Sequence, residues 1–301
     1  MERIGLIGLG RMGQAIAARL LDNGNSVIVS NRTPARAEAL LARGATWADT
    51  PADLVRAADI ILTILTDDHA VEAVYCGPHG LLAHAAEGRL LVEMSTIRTA
   101  TILGLAAPAA AVGAHLIDMP VSGTVAPARA GQLLGMAGGR AEDLARAMPV
   151  FEQFCRRVVH LGPLGAGTTM KIVLNMPMAI FWAGLAESLA IGTQHGLNMA
   201  QMLDIFLDSP VALPALRAKV PIMLGNDDQV AFDVTGVRKD LLAMMATAQD
   251  VGVPTPAAAA ALAHFAAATA AGYGERDLAL IVEYLGDLAR RTFPAGQKLL
   301  P

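Results

Sequence analysis

The chain has 301 residues, of which 54% are hydrophobic and 17% are charged, and its formal net charge is −4. This length and apolar fraction supply a substantial core and exclude a disordered chain. The slightly acidic balance, without a basic stripe, disfavours nucleic acid as a partner, because binding to nucleic acid depends on clustered lysine and arginine.

Strand-like and helix-like segments alternate through the first half of the chain. The strand-like runs RIGLIG, SVIVSN, DIILTIL and RLLVEMS are interspersed with the helix-like runs RMGQAIAARLLDNG and PARAEALLARG. Alternation at this spacing predicts βαβ units on a parallel sheet. Three later extended runs, HLIDMPVSG, QLLGMAGG and RRVVHLG, are expected to enlarge that same sheet up to about residue 162.

After the segment GPLGAG the chain reads as helices separated by glycine and proline. We therefore predict an α/β protein with a parallel-sheet domain over residues 1–162 and an all-α domain over residues 163–301, which begins with a long interdomain helix. The apolar stretch 172–192 contains Asn175, Pro177 and Glu187. These residues favour a helix covered by protein, and we expect no contact with a membrane.

A glycine pattern follows the first predicted strand and opens the first predicted helix. The segment GLGRMG places Gly8, Gly10 and Gly13 in the spacing G-x-G-x-x-G. In this context Gly8 permits a tight turn, Gly10 lets the backbone approach a pyrophosphate, and Gly13 allows close helix packing. The alternative is a glycine turn in an empty βαβ unit. We predict a Rossmann-type dinucleotide-binding domain, with these cofactor-binding residues: Gly8, Leu9, Gly10, Arg11, Met12 and Gly13.

The end of the second predicted strand discriminates between the two nicotinamide dinucleotides. An NAD site usually has Asp or Glu at this position, to bind the ribose hydroxyls. Here the chain has neutral Asn31, followed by Arg32 and Thr33, with Arg36 close behind. Guanidinium groups suit the additional 2′-phosphate of NADP, so NADP(H) is favoured over NAD(H). The alternative is that both arginines are solvated surface residues.

A lysine and an asparagine interrupt the apolar segment GAGTTMKIVLN, residues 165–175. Thr168 or Thr169 is expected to cap a helix here, so that Lys171 and Asn175, four residues apart, share one face. The alternative role for the lysine is structural, either reaching the surface or pairing with an acid. The preceding glycines favour close approach of a ligand.

A second polar group of residues occurs in DMPVSGT. Ser122, Gly123 and Thr124 follow a predicted strand, so their amides and hydroxyls are positioned to hold a carboxylate or a developing oxyanion. The alternative is an ordinary serine-glycine turn.

Taken together, these motifs resemble those of the β-hydroxyacid dehydrogenases, over nearly the whole chain. GLGRMG is similar to that family's dinucleotide signature, DMPVSGT to its substrate motif D-x-P-V-S-G-G, and GPLGAGTTMKIVLN to its catalytic motif G-x-G-x-x-x-K-x-x-N-N. VRKDLLAMMATAQDVGVPTP resembles the family's K-D-L segment. The order of the four motifs makes the resemblance specific.

The resemblance implies that Lys171 is the catalytic acid and base, that Asn175 orients the substrate, and that residues 122–124 hold its carboxylate. It also implies that Lys239 closes over the cofactor site. Three further residues would line the nicotinamide side: Leu65, Thr66 and Thr96.

This sequence departs from the family pattern at two positions of the motifs. Thr124 replaces the last glycine of the substrate motif, and Leu174 replaces the first of two paired asparagines. Pro177 is expected to bend the helix close to Asn175. These changes would alter the choice of substrate.

The expected reaction is hydride transfer between NADPH and a small semialdehyde or 3-hydroxy acid. Two alternatives remain open, an imine reductase on the same scaffold and a non-catalytic dinucleotide-binding protein.

The histidines form no cluster with the spacing of zinc ligands, so no metal is expected. The two cysteines, Cys76 and Cys155, indicate a reducing, cytoplasmic compartment. The resemblance implies a homodimer or homotetramer formed through the helical domain.

Overall fold

The computed structural model describes residues 2–84 and 86–292. These residues form two compact units, one ending at Val173 and the other beginning at Leu174. The predicted domain boundary at 162/163 lies just before the helix within which the two units divide, and it stays a prediction. Residues 293–301 of the predicted helical domain lie outside the described residues.

Nine strands occur in the described part of the first unit. Their bounds are β1 Ile4–Ile7, β2 Val27–Ser30, β3 Thr46–Trp47, β4 Ile60–Thr63, β5 Leu90–Glu93, β6 His115–Asp118, β7 Val121–Ser122, β8 Leu133–Ala137 and β9 Cys155–His160. Six form one sheet in the order β3-β2-β1-β4-β5-β6, with every neighbouring pair parallel. This order is that of a doubly wound dinucleotide-binding fold, and it confirms the predicted α/β class.

The helices of the first unit connect and cover the strands. Their bounds are α1 Arg11–Asp22, α2 Glu38–Leu41, α3 Pro51–Ala57, α4 Asp68–Cys76, α5 Thr99–Gly104, α6 Ala106–Ala111, α7 Val125–Arg129 and α8 Ala141–Phe151. Strands β1, β2, β4 and β5 are buried at every residue, because helices pack on both faces of the sheet. Ile16 of α1 and Phe151 of α8 belong to one apolar layer, whereas Leu54 of α3 and Tyr75 of α4 belong to the other.

The expectation that all the later extended runs enlarge this sheet is wrong for two of them. Strands β8 and β9 pair in parallel with each other, and β7 pairs antiparallel with β8, which makes a separate three-stranded sheet. The physical reason lies between β6 and β7, where Pro120 has no amide hydrogen to donate, so the bonding to β5 ends with the Met119 amide. A single bridge between Asp118 and Gly138 joins β6 to the end of β8.

Helix α9, Ala166–Gln194, spans the dividing point at Val173 and is continuous through Pro177. It is followed in the second unit by α10 Met199–Asp208, α11 Val220–Met223, α12 Val234–Asp250, α13 Pro256–Ala268 and α14 Ile281–Thr292. No named strand occurs in the described part of this unit, in agreement with the predicted helical region. By length and composition alone α9 is apolar enough to span a bilayer, a property that it shares with buried core helices.

The core of the second unit contains Trp182 of α9 and Phe265 of α13, both fully buried. A buried ion pair lies in the same unit, where the Lys219 ammonium is 2.5 Å from an oxygen of Asp277. The same carboxylate oxygen accepts the backbone amide of Ala231 at 3.1 Å. These contacts join the segment before α11 to the segment before α14.

Candidate active site

The three glycines of the first motif have three different surroundings. Gly8 has a φ of +99°, and a Cβ atom there would lie 2.2 Å from the carbonyl oxygen of Ile64. A Cβ atom on Gly13 would lie 1.9 Å from the carbonyl oxygen of Gly8. A Cβ atom on Gly10 would meet no atom within 4 Å. The fold therefore requires glycine at 8 and 13, whereas Gly10 borders open space, as expected where a pyrophosphate approaches the backbone.

The amino end of α1 provides the charge that such a ligand needs. Gly10 is the N-cap of α1, no side chain caps that end, and the first turn contains no acidic residue. The helix dipole and the amides of the first turn therefore favour an anion. Arg11 is exposed and Met12 is half-buried in this turn, and Leu9 is buried behind it. These residues fit a dinucleotide pyrophosphate.

Asn31 supports the glycine loop from the end of β2. Its Oδ1 accepts the amide of Leu9 at 2.9 Å, and its Nδ2 donates to the carbonyl of Thr33 at 3.0 Å. The side chain therefore links two loops of the cofactor edge, a role that the sequence did not reveal. Arg32, Thr33 and Arg36 are exposed beyond it.

The loops that follow β4 and β5 lie at the same edge of the sheet, because parallel strands end together. Leu65 and Thr66 follow β4, and Thr96 follows β5. The amide of Leu65 donates to the Ser95 hydroxyl at 2.7 Å, which joins the two loops. The structure therefore brings all the predicted cofactor residues of the first unit to one edge.

A buried carboxyl group supports these two loops. Glu93, the last residue of β5, accepts the Thr63 hydroxyl at 2.6 Å and the Ser95 amide at 2.7 Å. Burial raises the pKa of Glu93 to about 7. Sequence analysis missed Glu93, although an acid at the end of an otherwise apolar strand was an available signal.

Lys171 lies beside the substrate motif. Its Nζ donates to the carbonyl oxygen of Val121 at 2.8 Å, and Val121 precedes Ser122 on β7. Gly123 has a φ of +131°, and Thr124 is the N-cap residue of α7. The structure therefore brings together the predicted acid and base and the predicted carboxylate-binding residues, although Lys171 and Val121 are 50 positions apart in sequence.

The first turn of α9 is capped by a residue at the end of strand β6. The expected capping by Thr168 or Thr169 is therefore wrong. The carboxylate of Asp118, at the end of β6, accepts the amide of Gly165 at 2.7 Å and that of Thr168 at 2.6 Å. Asp118 has no exposed surface. Both threonines lie inside the helix, which begins at Ala166. Asp118 thereby fixes the turn that precedes Lys171.

In the second unit, Asn175 contacts an acidic residue that sequence analysis did not single out. The buried Asp240 accepts the Asn175 amide at 3.2 Å through Oδ2, and its Oδ1 is 2.6 Å from the Lys239 ammonium. This contact orients the Asn175 side chain and connects it to the predicted Lys239. No group of three or more His, Cys, Asp or Glu residues that could hold a metal ion occurs within 2–84 and 86–292.

Two family models cover the chain. The model of the NAD binding domain of 6-phosphogluconate dehydrogenase matches residues 3–162, and that described as NAD-binding of NADP-dependent 3-hydroxyisobutyrate dehydrogenase matches residues 165–285.

The chain is also similar to individual proteins along most of its length. It is 39% identical to 3-hydroxyisobutyrate dehydrogenase of Pseudomonas aeruginosa, over 87% of this chain and 90% of the relative. It is 35% identical to an NAD-dependent L-serine dehydrogenase of the same organism, over 93% and 97% respectively. The solved structure of Psf3 in complex with NADP+ and 2-OPP superposes with a TM-score of 0.84 and 31% identity, over 94% of this chain and 99% of that one.

Proposed function

The chain belongs to the β-hydroxyacid dehydrogenase family of NAD(P)-dependent oxidoreductases, and from this premise we propose that it transfers hydride between NADPH and a small 3-hydroxy acid or its semialdehyde, with Lys171 as the general acid and base. The observation that carries the proposal is the hydrogen bond from Lys171 to Val121, 2.8 Å long. It holds the ammonium beside residues 122–124, where a substrate carboxylate would bind.

When bound, NADPH supplies the hydride from its nicotinamide ring. In the direction of reduction, Lys171 donates a proton to the alkoxide oxygen that develops on the substrate. In the direction of oxidation, a neutral Lys171 accepts the hydroxyl proton, so oxidation is favoured at higher pH. Asp118 holds the first turn of α9 and thereby the position of the Lys171 side chain.

We propose that Ser122, Gly123 and Thr124 hold the substrate carboxylate and that Asn175 orients the substrate. Gly123 has a positive φ, and Thr124 is the N-cap of α7 without a side-chain capping bond, an arrangement that suits a carboxylate. Asp240 accepts from the Asn175 amide nitrogen and so fixes which end of the side-chain amide is turned away from it. The proposed substrate is therefore a small carboxylate.

The preference for NADP(H) is proposed from the residues after β2. Asn31 contributes no negative charge there, and its amide is bonded to the glycine loop. Arg32 and Arg36 are exposed at the same edge and suit a 2′-phosphate. One relative named above is NAD-dependent, and one structural neighbour binds NADP+. The choice of cofactor therefore rests on these arginines.

For assembly we propose a homodimer or homotetramer formed by the helical unit, in the cytoplasm. Support for assembly comes from large apolar side chains that are exposed in the second unit, among them Ile191, Leu197, Ile205 and Val251. Such exposure is typical of a surface that is covered by another subunit. The cytoplasm is proposed from the two isolated cysteines, Cys76 and Cys155, which lack the spacing of a disulfide framework.

The reaction is tested by measuring the consumption of NADPH and of NADH with a panel of substrates. The panel contains glyoxylate, succinic semialdehyde, tartronate semialdehyde, methylmalonate semialdehyde and a cyclic imine. We expect reduction of one or more of the carboxylated aldehydes, and a loss of about 10²- to 10⁴-fold in turnover for Lys171→Met with NADPH affinity retained. Turnover of the imine alone would identify an imine reductase. NADPH binding without any turnover would identify a non-catalytic protein.

Cofactor choice is tested in the same assay with Arg32→Ala. We expect the preference for NADPH over NADH to fall by about tenfold or more, because a charge-assisted contact with the 2′-phosphate is lost. Arg43→Ala is the matched control, since Arg43 is an exposed arginine that pairs with Asp22, at the end of α1 opposite to the glycine loop. Equal effects of the two substitutions would contradict the assignment of Arg32.

A further inference from the structure

Glu93 connects the two loops that follow the central strands β4 and β5. Its Oε1 accepts the Ser95 amide, and its Oε2 accepts the Thr63 hydroxyl. The Ser95 hydroxyl in turn accepts the amide of Leu65 at 2.7 Å. A single carboxyl group therefore fixes the positions of both loops relative to the end of the sheet.

A buried acid at position 93 lowers the stability of the folded protein if its role is only to hold the loops. Glu93 is 1% exposed, and the partners just named are a hydroxyl and an amide, not cations. Burial of a carboxylate without a countercharge is unfavourable, whereas a neutral residue would make similar hydrogen bonds without that penalty. The ionisable Glu93 therefore places a titratable charge beside the two loops that it holds.

The surrounding hydroxyl groups accommodate both the charged and the neutral carboxyl. The Thr63 oxygen is 2.6 Å from Glu93, 2.9 Å from the Tyr75 hydroxyl and 3.2 Å from the carbonyl oxygen of Val92. With a carboxylate, Thr63 donates to Glu93. With a protonated carboxyl, Glu93 donates to Thr63, and Thr63 donates to Val92. The proton can therefore be gained or lost without displacement of the side chains.

We propose that Glu93 is a positioning residue whose charge sets the relative affinity for oxidised and reduced dinucleotide. The inference rests on the proposed function and on the expectation from the family resemblance that Leu65, Thr66 and Thr96 line the nicotinamide side. The oxidised ring carries a positive charge that the reduced ring lacks. A buried carboxylate beneath these loops attracts that charge, because electrostatic interactions are strong where water is excluded. The neutral carboxyl makes no such distinction.

The titration of Glu93 falls in the range where this effect is measurable. Burial raises its pKa to about 7, with the Ser95 and Thr63 hydrogen bonds acting in the opposite direction. Two titratable groups lie beside it, Tyr75 on α4, whose hydroxyl is 2.9 Å from the Thr63 hydroxyl, and Asp118, its in-register neighbour on β6. Burial raises the pKa of Tyr75 well above its ordinary value, so the phenol stays neutral through pH 8.

The test compares dissociation constants of NADP+ and NADPH at pH 6 and pH 8 for the wild-type protein and Glu93→Gln. In the wild type, the ratio of the NADP+ constant to the NADPH constant is expected to fall about fivefold or more as Glu93 ionises. In Glu93→Gln it should change by less than about twofold. Titration of the 2′-phosphate affects both cofactors alike and cancels in the ratio. An unchanged pH dependence in Glu93→Gln would overturn the proposal.

Lys171 is another ionisable group of the proposed site, so Lys171→Met is measured in parallel. The pH dependence near neutrality is expected to persist in Lys171→Met and to be absent in Glu93→Gln. Disappearance in Lys171→Met alone would assign the effect to the lysine and overturn the proposal.

A second measurement does not depend on how well Glu93→Gln folds. Calorimetric titration of Lys171→Met near pH 7, in two buffers of different ionisation enthalpy, reports the protons released on binding. Binding of NADP+ should release more protons than binding of NADPH, because only the oxidised ring favours ionised Glu93. Equal release would overturn the proposal. Absence of hydroxy-acid turnover with unequal release would contradict the proposed reaction instead and support the role of Glu93.

Discussion

Gly10 and Gly13 are three residues apart, but glycine is needed at each for a different reason. At position 13 the protein's own backbone excludes a side chain, because an added Cβ would lie 1.9 Å from the carbonyl oxygen of Gly8. At Gly10 the protein itself sets no limit, because an added Cβ meets nothing within 4 Å. Glycine at position 10 therefore agrees with the predicted approach of a ligand.

This contrast predicts opposite phenotypes for Gly10→Ala and Gly13→Ala. Gly13→Ala should lower the free energy of unfolding by about 1–3 kcal/mol or more, since the backbone must move to admit the methyl group. Gly10→Ala should leave that free energy unchanged within about 0.5 kcal/mol and raise the dissociation constant for NADPH by about tenfold or more. Urea unfolding and a cofactor titration measure the two quantities. Normal NADPH affinity in Gly10→Ala would show that no ligand approaches Gly10.

The sequence predicted the residues whose roles depend on local spacing. Gly8, Gly10 and Gly13 belong to this class, because a strand followed by a helix was enough to interpret them. Glu93 and Asp118 do not. Their roles depend on which strands are neighbours and on which distant amide groups face them, and these facts arise only from the assembled sheet.

At the scale of elements, the amino end of helix α9 is held by a residue of strand β6. A helix leaves its first amide groups without partners, and a capping side chain normally comes from just before the helix. Here the cap comes from the end of β6, since Asp118 accepts the amides of Gly165 and Thr168. The negative carboxylate also suits the positive end of the helix dipole. The strand and the helix that carries Lys171 are thereby held together.

We therefore expect Asp118→Asn to destabilise the first unit and to impair catalysis. The carboxamide has one acceptor oxygen, so one of the two backbone amides would face an NH2 group, at a cost of about 1–3 kcal/mol. Turnover should fall more than cofactor affinity does, because the position of Lys171 is disturbed and the glycine loop is not. Asp67→Asn is the control, since Asp67 is a local N-cap of α4 and asparagine caps equally well. Equal stability of both variants would refute this role for Asp118.

The three-stranded sheet shows why sequence patterns gave strands without giving their partners. The runs that became β8 and β9 were correctly identified as extended, but alternation of apolar residues does not encode which edge a strand joins. Bonding to β5 ends with the Met119 amide, and after Pro120 the chain pairs as β7 with β8 in the second sheet. Pro120 was visible in the sequence, but its consequence for topology was not.

Over the molecule as a whole, acidic side chains at the two ends of the parallel strands of the main sheet have opposite environments. At the carboxyl edge, Glu93 is buried among uncharged partners. At the amino edge, Asp59 accepts two hydrogen bonds from the Arg3 side chain, at 2.8 and 3.1 Å, and pairs with Arg89 at 2.5 Å. The hydrogen bond from Arg3 is the main reason that the pKa of Asp59 is far below its ordinary range. These contacts join the residues that precede β1, β4 and β5.

Acid is therefore expected to destabilise the protein through Asp59. A lowered pKa in the folded state means that the contribution to stability is present above the unfolded pKa of about 4 and is lost as pH falls below it. Asp59→Asn should lower the Tm by about 2–5 °C at pH 6, a modest figure because Arg3 is half exposed. The difference from wild type should shrink between pH 4 and pH 2, as measured by calorimetry. A difference that stays constant with pH would show that the charge is not responsible.

The two units divide within α9, which limits how gene recombination can exchange the two predicted domains between related proteins. A crossover in the loop at 162/163 would appear to exchange a cofactor module and a helical module cleanly. However, Lys171 is part of α9, whereas the carbonyl that it contacts and the carboxylate that caps its helix come from residues 118–121. A chimera made at that loop would carry its lysine from one parent and the supports of that lysine from the other. Coevolution of these segments is therefore expected even where the two modules have separate histories.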